Sequence, residues 1–570
     1  MKEKISRIFL TASFLLAFCS CDDAFLKEVP RSFLSSIDTY TTKEGVLMGI
    51  NGLHGYTRTY IFYEDYCRDY RGLRTDVSWC GENPTGSGWT YTGCTPTSGD
   101  YEKLWIRAYK LIARANEILK YVDSSKGWDS DAERDACKGE ALFFRAYGYW
   151  FLTSFFGDVP LVTGPVDKAS TDYVRDPVAD VWKQQVEDLT YAVNHLPGRT
   201  AVAAPGRISA GAAENLLSMV YLEMGDWEAA EKTATNVIEN YGYALMKERF
   251  GSTTDVFGSG DVFLDLFARG NQNLEENTEG IWVIQVDANL QDGTTATSRN
   301  DLNGGARRYG PRYFDLGKDP SRKPCFVGLS DSLGRGVAWS RPTWHTHTEI
   351  WLSDWDNDIR NAPHNIKRDY YYENPESVWN GKKIDVFHDW PKISEIQLYR
   401  DTTNFIFPYI IGKMGDPMAE NCNEEGSYAS YGYTRKDFYS MRLAETFLNR
   451  AEARLHQGNA IGAADDINEV RSRAHANPVA PADVTFDYLL DERIRELFGE
   501  EFRDIVLRRI DRHDGLADDQ RIFYQRMYRY NDCPGAPGMF MRPYMILWPI
   551  PQKEIDATGG RIVQNPGYIK

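Results

Sequence analysis

Two stretches of this chain repeat one helix–turn–helix pattern, and that repeat limits the possible folds more than any other feature. Within residues 209–241, large apolar side chains precede Gly225, and the small residues Ala230 and Ala234 follow it. The same order returns within residues 443–470 around Gly458. Large side chains on one helix, a glycine turn and small side chains on the next are typical of tetratricopeptide-like helix pairs. Because such pairs bury their apolar faces against neighbouring pairs, the sequence predicts a mainly α fold of stacked helix pairs.

Further helices are predicted by apolar residues spaced three and four positions apart and by residues that typically start or stop a helix. Ser130 and Glu133 form a capping box, Gly157 follows as a stop signal, and Pro177 suits the first turn of another helix. The predicted helices span about residues 41–70, 101–122, 130–157, 177–195 and 489–510. Three glycines predict that the first of them is interrupted or softened: Gly49, Gly52 and Gly55.

Between the helical blocks, the sequence loses its helical periodicity and becomes rich in glycine, aspartate and aromatic residues. An alternating run at 281–286 predicts a short strand there, and residues 72–99 predict a long loop. The predicted organisation is helical repeats at about 37–244 and 436–512, an irregular insert at about 245–435 and a C-terminal tail at 513–570. Long irregular segments this aromatic are usually functional, so we expect the insert to contribute the ligand face.

The N-terminus has the features of a bacterial lipoprotein signal. Lys2, Lys4 and Arg7 precede an apolar run at residues 8–18, which is too short to cross a bilayer of about 30 Å. Ser20 then precedes Cys21, where cleavage and acylation are expected. We therefore predict a signal peptide at 1–20, a lipid on Cys21, a tether at 21–36 and an anchored body at 37–570. An ordinary secretory signal with an incidental cysteine is the alternative.

Composition restricts the partners. The chain carries 65 basic and 82 acidic residues, a formal net charge of −17. That charge argues against nucleic acid and anionic lipid as partners and favours solubility. The chain also contains 15 Trp and 34 Tyr, and aromatic residues beyond those a core needs suit a surface that binds carbohydrate or peptide.

The sequence contains little that predicts catalysis. It has no His-Glu-x-x-His, Gly-x-Ser-x-Gly or Gly-x-x-x-x-Gly-Lys-[Ser/Thr] motif, and no Cys-x-x-Cys spacing. Cys80 and Cys94 bracket the 72–99 loop and are candidates for a disulfide that the sequence leaves open. Pairs of Asp and Glu residues are frequent, but their positions in the sequence do not identify the two catalytic carboxylates that a glycosidase needs. Four charged residues on one predicted helix are interpreted as structural ion pairs and not as a site: Glu492, Arg493, Arg495 and Glu496.

Metal binding is also weakly supported. His345 and His347 form only a short His-x-His pattern, with Glu349 nearby. Three aspartates two positions apart resemble the start of a calcium loop: Asp354, Asp356 and Asp358. Ile359 and Asn365 stand where that loop needs Gly and Glu, so a solvated acidic turn is expected. We predict a non-catalytic protein with no metal and no cofactor.

Binding is the stronger hypothesis. Sugars present flat apolar faces rimmed by hydroxyls, so a sugar site needs exposed aromatic rings beside amide, carboxylate and guanidinium groups. A tryptophan in a glycine-rich loop has no helix face on which to pack, which favours exposure there. The predicted ligand-binding residues are Trp79, Trp89, Tyr91, Asn83, Arg74 and Asp76 in the loop and Tyr309, Trp339 and Trp344 in the insert. Four tryptophans on predicted helices are expected in the core: Trp105, Trp150, Trp182 and Trp227.

Short motifs spread along nearly the whole chain resemble those of one family. They lie at residues 21–26 with Pro30, 105–116, 145–147 with 156–161, 206–207 with 212–213, 279–282, 442–445 with 451–453, 468–474, 492–493, 549–551 and 564–568. In this order they are similar to the SusD/RagB-type outer-membrane nutrient-uptake lipoproteins of the Bacteroidetes.

The resemblance implies a cell-surface lipoprotein of the outer membrane, built of tetratricopeptide-like helix pairs. Such proteins capture oligosaccharides and deliver them to a SusC-type TonB-dependent transporter. Asp22 and Asp23 resemble the surface-export signal of these lipoproteins, although Lys27 stands where an acid is usual and Glu28 follows it. The expected function is non-catalytic glycan capture. The alternatives are a peptide-capturing RagB-type protein and, less favoured, a surface glycosidase.

Overall fold

The computed structural model describes residues 39–63, 72–83, 86–166, 168, 170–251, 259–286, 302–330, 333–385, 405–416, 423, 429–533 and 538–568. The predicted signal peptide 1–20, the lipid site Cys21 and the tether 21–36 lie outside these residues. In the part of the chain that is described, no helix is long and apolar enough to cross a membrane.

Most of the regular structure is α-helical, as the sequence predicts. The helices are α1 (Lys43–Tyr56), α2 (Gly99–Tyr121), α3 (Asp131–Phe156), α4 (Val178–His195), α5 (Ala210–Met224), α6 (Trp227–Asn240), α7 (Val262–Phe267), α8 (Gly305–Tyr309), α9 (Trp344–His347), α10 (Ile411–Met414), α11 (Leu443–His456), α12 (Ala460–Arg473), α13 (Phe486–Leu497), α14 (Arg503–Arg509), α15 (Ile522–Tyr530) and α16 (Gln552–Ala557). The strands are β1 (Ser78–Trp79), β2 (Gly280–Ile284), β3 (Arg341–Pro342) and β4 (Phe438–Arg442). β1 pairs antiparallel with β3, and β2 with β4.

The long helices pack in sequence order as a stack. From α2 to α6 each helix packs on the next, and α11 then packs on both α6 and α12. Gly225 and Gly458 both have a φ of 75°, a left-handed conformation that glycine adopts without strain. Asp226 and Asn459 follow them and cap α6 and α12. Both predicted helix pairs are confirmed.

Helix α3 begins and ends at its sequence signals. The Ser130 hydroxyl accepts a hydrogen bond from the Glu133 amide, and the Glu133 carboxylate accepts one from the Asp129 amide, each at 3.2 Å. Gly157 ends the helix with a φ of 75°. Every residue of α3 from Glu140 onward is buried, so this helix forms the centre of the core.

One predicted helix is two helices. The sequence predicts a single helix over about 489–510, but α13 ends at Leu497 and α14 begins at Arg503. Gly499 between them has a φ of 78°, and a Cβ atom there would collide with the Met414 side chain. Apolar spacing continues across the break because α13 and α14 both bury a face, so periodicity alone does not reveal it.

The first helix is continuous where the sequence predicts an interruption. Its glycines do not interrupt α1, which runs from Lys43 to Tyr56 and continues as a π-helical segment over Thr57–Tyr63. Gly49 lies where a Cβ would press on the side chains of Tyr40 and Ile118. This glycine therefore permits close approach of α1 to α2 and does not break the helix.

Buried charges on α13 tie the helical blocks to the insert. Glu496 accepts hydrogen bonds from Arg360 of the insert at 2.9 Å, from Arg442 of β4 at 2.6 Å and from Arg473 of α12. Glu492 pairs with Arg360 at 2.8 Å, and all five side chains are almost fully buried. The predicted structural ion pairing is confirmed.

A matched pair of glycine substitutions tests the turn geometry. Gly458→Ala is expected to lower the free energy of unfolding by about 1 kcal/mol, because alanine is strained at a positive φ. Gly52→Ala, within α1, is expected to raise it by about 0.5 kcal/mol. Neither Cβ would meet another atom within 4 Å. Urea unfolding of both variants checks the opposite signs, and equal effects would contradict the assigned turn.

Candidate functional site

The 72–99 loop and the insert lie against each other. Pairing of β1 with β3 places Ser78 opposite Pro342 and Trp79 opposite Arg341. The Ser340 hydroxyl also donates to the Ser78 hydroxyl at 2.8 Å. The two segments that the sequence analysis selects therefore form one surface. We call it the aromatic face, made of the described residues of 72–99 and of residues 339–355.

Trp79 lies under this face. Its side chain is 1% exposed, and its indole N–H donates to the Asp532 carboxylate at 2.8 Å. The guanidinium carbon of Arg341 lies 4.9 Å from the centre of its indole. Tyr91 is also buried, and its hydroxyl donates to the Arg74 carbonyl at 3.2 Å. Neither ring presents a face to solvent, so both support the loop from below.

Asp76 and Arg74 are buried as well. Asp76 receives hydrogen bonds from Arg503 and Arg526, each at 2.6 Å. Burial opposes ionisation of Asp76, but the two guanidinium groups outweigh it and hold the pKa of this carboxyl below its usual range. Arg74 has a φ of 61° and donates to the Tyr101 hydroxyl at 3.0 Å. Both side chains therefore fix the base of the loop to the helices.

Tyr309 is the fifth predicted site residue that lies below the surface. It is 7% exposed, and its ring packs edge-on against Phe498 with 5.5 Å between centroids. Its place on α8 gives it a helix face on which to pack, which its position in an irregular insert does not reveal.

The remaining predicted residues reach the surface. Trp344 has 57% of its area exposed, and its backbone N–H donates to Asp532 at 2.9 Å. Trp339 is half-buried, and its indole N–H donates to the Glu82 carboxylate at 2.5 Å. Trp89 is half-buried and Asn83 is exposed. The structure therefore places tryptophan rings on both segments of the face within reach of solvent.

Sequence reasoning misses one further aromatic residue here. Trp355 is 40% exposed, and the guanidinium carbon of Arg368 lies 4.6 Å from the centre of its ring. The residue stands between Asp354 and Asp356, a segment interpreted only as a possible calcium loop. Its signal is the same aromatic enrichment that identifies Trp339 and Trp344.

The two histidines do not converge on one point. His345 Nδ1 lies 2.8 Å from Glu349 and its Nε2 lies 2.8 Å from Asp491. His347 is buried, and burial together with nearby Arg341 and Arg368 lowers its pKa to about 3. Within the described ranges, no group of three or more His, Cys, Asp or Glu side chains is placed to hold a metal ion.

The acidic turn is less solvated than the sequence predicts. Asp354 accepts a hydrogen bond from Arg471 at 2.8 Å, and Asp358 accepts one from Arg360 at 2.7 Å. Both carboxylates are buried, so the expectation of a solvated turn is wrong for them, whereas Asp356 is exposed. The partner of Asp354 comes from a distant segment, which spacing within the turn does not show, whereas Arg360 lies only two residues from Asp358.

The open question of a loop disulfide is resolved by Cys94. Its Sγ is a thiol that lies 3.3 Å from the Tyr568 hydroxyl, at the C-terminal end of the described chain. Cys94 therefore forms no disulfide with Cys80. Burial raises the pKa of the Cys94 thiol, which keeps it protonated and unreactive.

A stack of helix pairs that supports an irregular, aromatic face defines a class of helical-scaffold binding proteins. The family model described as "SusD family" matches residues 278–568, and a second, described as "Starch-binding associating with outer membrane", matches residues 58–222. The chain therefore belongs to the SusD family, as its motifs predict.

Curated relatives share this family. The chain is 22% identical to SusD-like protein P25 of Formosa agariphila over 97% of both chains. It is 31% identical to SusD-like protein P2 of the same organism over 42% of this chain and 46% of that protein. It is also similar to the starch-binding protein SusD of Bacteroides thetaiotaomicron, at 25% identity over 83% of this chain and 80% of that protein.

Solved structures share the fold. A SusD homolog from Bacteroides thetaiotaomicron superposes with a TM-score of 0.68 at 20% identity, covering 94% of this chain and 99% of that one. Surface glycan-binding protein A from the same organism, in complex with laminarihexaose, gives 0.64 at 19% identity, covering 92% and 100%. At these identities the likeness establishes the mainly α SusD fold.

Proposed function

We propose that this protein captures a glycan on its aromatic face and delivers it to a SusC-type TonB-dependent outer-membrane transporter, without chemistry of its own. The observation that carries the proposal is the exposure of Trp344, together with half-exposed Trp339 and Trp89, on loops that the scaffold holds in place. Indole rings of this kind match the flat apolar faces of sugars and lose little side-chain entropy on binding.

The relatives support this choice of ligand. Solved structures of the same fold include a laminarin-binding SusD-like protein and a surface glycan-binding protein in complex with laminarihexaose. The fixed loop contacts also favour capture over catalysis, because Asp76 and the other buried acids near the face are paired with arginines. The arginine partners hold the pKa of Asp76 below its usual range, so this carboxyl is unsuited to donate a proton as a general acid.

Calorimetry of the chain that begins after Cys21 tests the proposal. The titrants are purified plant, host and microbial glycans, and a peptide digest is titrated separately for comparison. We expect heat of binding with at least one glycan and no release of reducing ends during incubation. Binding to peptides alone would support the RagB-type alternative, and turnover of a bound glycan would support the glycosidase alternative.

The anchor is proposed to be a lipid on Cys21. Cys21→Ala is expected to move the protein from the membrane pellet to the soluble fraction, because several acyl chains at about 0.8 kcal/mol per buried methylene make membrane binding nearly permanent. Fractionation of cells followed by immunoblotting measures the shift. Cys19→Ala, two positions earlier in the predicted leader, is the matched control and should leave the protein in the pellet.

A further inference from the structure

Two arginines near Trp339 lack the carboxylate partners that most buried arginines of the described chain have. Most buried guanidinium groups of the described chain are paired with carboxylates, among them Arg360, Arg442, Arg473, Arg493, Arg503 and Arg526. Arg307 and Arg335 are half-buried beside the aromatic face, and neither forms an ion pair with any described residue. Unpaired guanidinium groups are unexpected in a chain of net charge −17.

Arg307 is held in place by neutral groups. Its guanidinium carbon lies 4.9 Å from the centre of the Trp339 ring and 5.5 Å from that of Tyr433. Its Nη1 donates to the Tyr431 carbonyl at 2.9 Å, and its Nε is buried without a hydrogen-bond partner. The side chain is therefore positioned against the predicted ligand platform with its charge uncompensated.

Arg335 adds a second positive charge at the same place. Its guanidinium carbon lies 5.8 Å from the centre of the Phe314 ring. Burial lowers the pKa of Arg335, and the nearby charges of Arg307 and Arg312 lower it further, while Asp315 opposes them. Arg307 and Arg335 are neighbours, since a Cβ atom at Gly432 would meet both the Arg335 carbonyl oxygen and the Arg307 Cβ, and the positive charges around Arg335 repel its own.

The acids in this region are committed to Arg312. The Asp315 carboxylate accepts a hydrogen bond from Arg312 at 2.6 Å. The Glu82 carboxylate lies 3.8 Å from the Arg312 guanidinium and also accepts a hydrogen bond from the Trp339 indole N–H. Neither of these carboxylates lies within ion-pair distance of Arg307 or Arg335. Arg368, beside Trp355, also donates only to carbonyl and amide oxygens, at Asn361 and His347.

Like charges held together raise the energy of the free protein unless a ligand supplies the opposite charge. A guanidinium group binds a carboxylate or sulfate through paired, charge-assisted hydrogen bonds. We propose that the captured glycan is anionic, carrying carboxylate or sulfate groups on its sugar rings, and that Arg307 and Arg335 bind those groups beside Trp339. This inference rests on the proposed function and names the substrate class of the same face.

Matched pairs of glycans that differ only in charge test the inference by calorimetry. Polygalacturonate is compared with its methyl ester, and a sulfated galactan with its desulfated form, so the two pairs separate carboxylate from sulfate. We expect at least about tenfold tighter binding of one anionic form, weakening as NaCl is raised from about 20 mM to about 500 mM. Equal affinity for charged and neutral forms would overturn the inference.

Substitutions locate the charge effect. Arg307→Gln/Arg335→Gln is expected to remove most of the preference for the anionic form and its salt dependence, so that the affinities for the charged and neutral forms converge. Lys183→Gln/Lys232→Gln, on exposed positions of α4 and α6, makes the same change in net charge and should leave the preference intact. Loss of the preference in that control pair instead would assign it to the general field of the protein and overturn the inference.

The test separates this inference from the proposed function. If neutral glycans bind as well as anionic ones and Trp344→Ala weakens binding of both, the aromatic face captures glycan but has no charge preference. If no glycan of either kind binds, the proposed function itself fails, and the inference fails with it. Arg307→Lys should retain part of the preference, because it keeps the charge but loses the planar fork.

Discussion

Trp344→Ala is expected to weaken binding of the captured glycan by about thirtyfold, which corresponds to about 2 kcal/mol. Trp344 offers the largest exposed indole of the aromatic face, with 57% of its area accessible. Its backbone is fixed by Asp532, so the ring enters a complex with little loss of freedom. Calorimetry with the glycan found in the initial screen measures the change, and circular dichroism checks that the variant is folded.

Ile461→Ala is the control for this variant. Ile461 is 68% exposed on α12 of the helical scaffold, so its truncation removes apolar surface without touching the aromatic face. Its affinity should match that of the unaltered protein. Unchanged affinity in both Trp344→Ala and Trp339→Ala would show that this segment is not the ligand face.

Trp79 requires a different interpretation from the exposed tryptophans. It is 1% exposed and hydrogen-bonded to Asp532, so Trp79→Ala removes a packed side chain. Such substitutions typically cost about 3–5 kcal/mol of unfolding free energy. A loss of binding in that variant would therefore report damage to the loop, and Trp89 and Trp344 are the residues on which ligand contact is tested.

The helical scaffold is predictable because its signals are local. Gly225 and Gly458 take the left-handed turns that their positions suggest, and Ser130 caps α3 as its spacing to Glu133 predicts. Each signal acts over one helical turn, so a single sequence contains it in full. The break at Gly499 escapes prediction because apolar spacing continues across it, although this glycine, with a φ of 78°, is itself a local stop signal.

The candidate site follows the same rule. The sequence selects two segments that the structure brings together, but which of their rings are buried depends on contacts between residues far apart in the chain. Asp76 meets Arg503 and Arg526 of α14 and α15, and Trp79 meets Arg341 of β3. Composition of the loop cannot reveal partners supplied by other elements, so Trp79 and Asp76 resemble surface residues in sequence alone.

Acid is expected to destabilise the protein through the buried carboxylates of α13. Burial opposes ionisation of Glu492, but Arg360, Arg495 and Arg471 outweigh it and lower its pKa from 4.5 to about 2. A carboxyl with a depressed pKa in the folded state stabilises the fold above its unfolded pKa. That contribution is lost as the pH falls from about 4.5 to about 2. The unfolding free energy should therefore fall steeply across this range, as denaturant titrations at several pH values would measure.

Glu496→Gln is expected to lower the unfolding free energy at neutral pH by about 3–5 kcal/mol. Glu496 is fully buried and accepts hydrogen bonds from arginines of three elements, so glutamine of the same shape leaves their charges undercompensated. Urea unfolding measures the loss, and Glu228→Gln, at an exposed position of α6, is the control with the same change in charge. A loss below about 1 kcal/mol would mean that the other buried carboxylates suffice to balance these arginines. The network would then contribute specificity of packing more than stability.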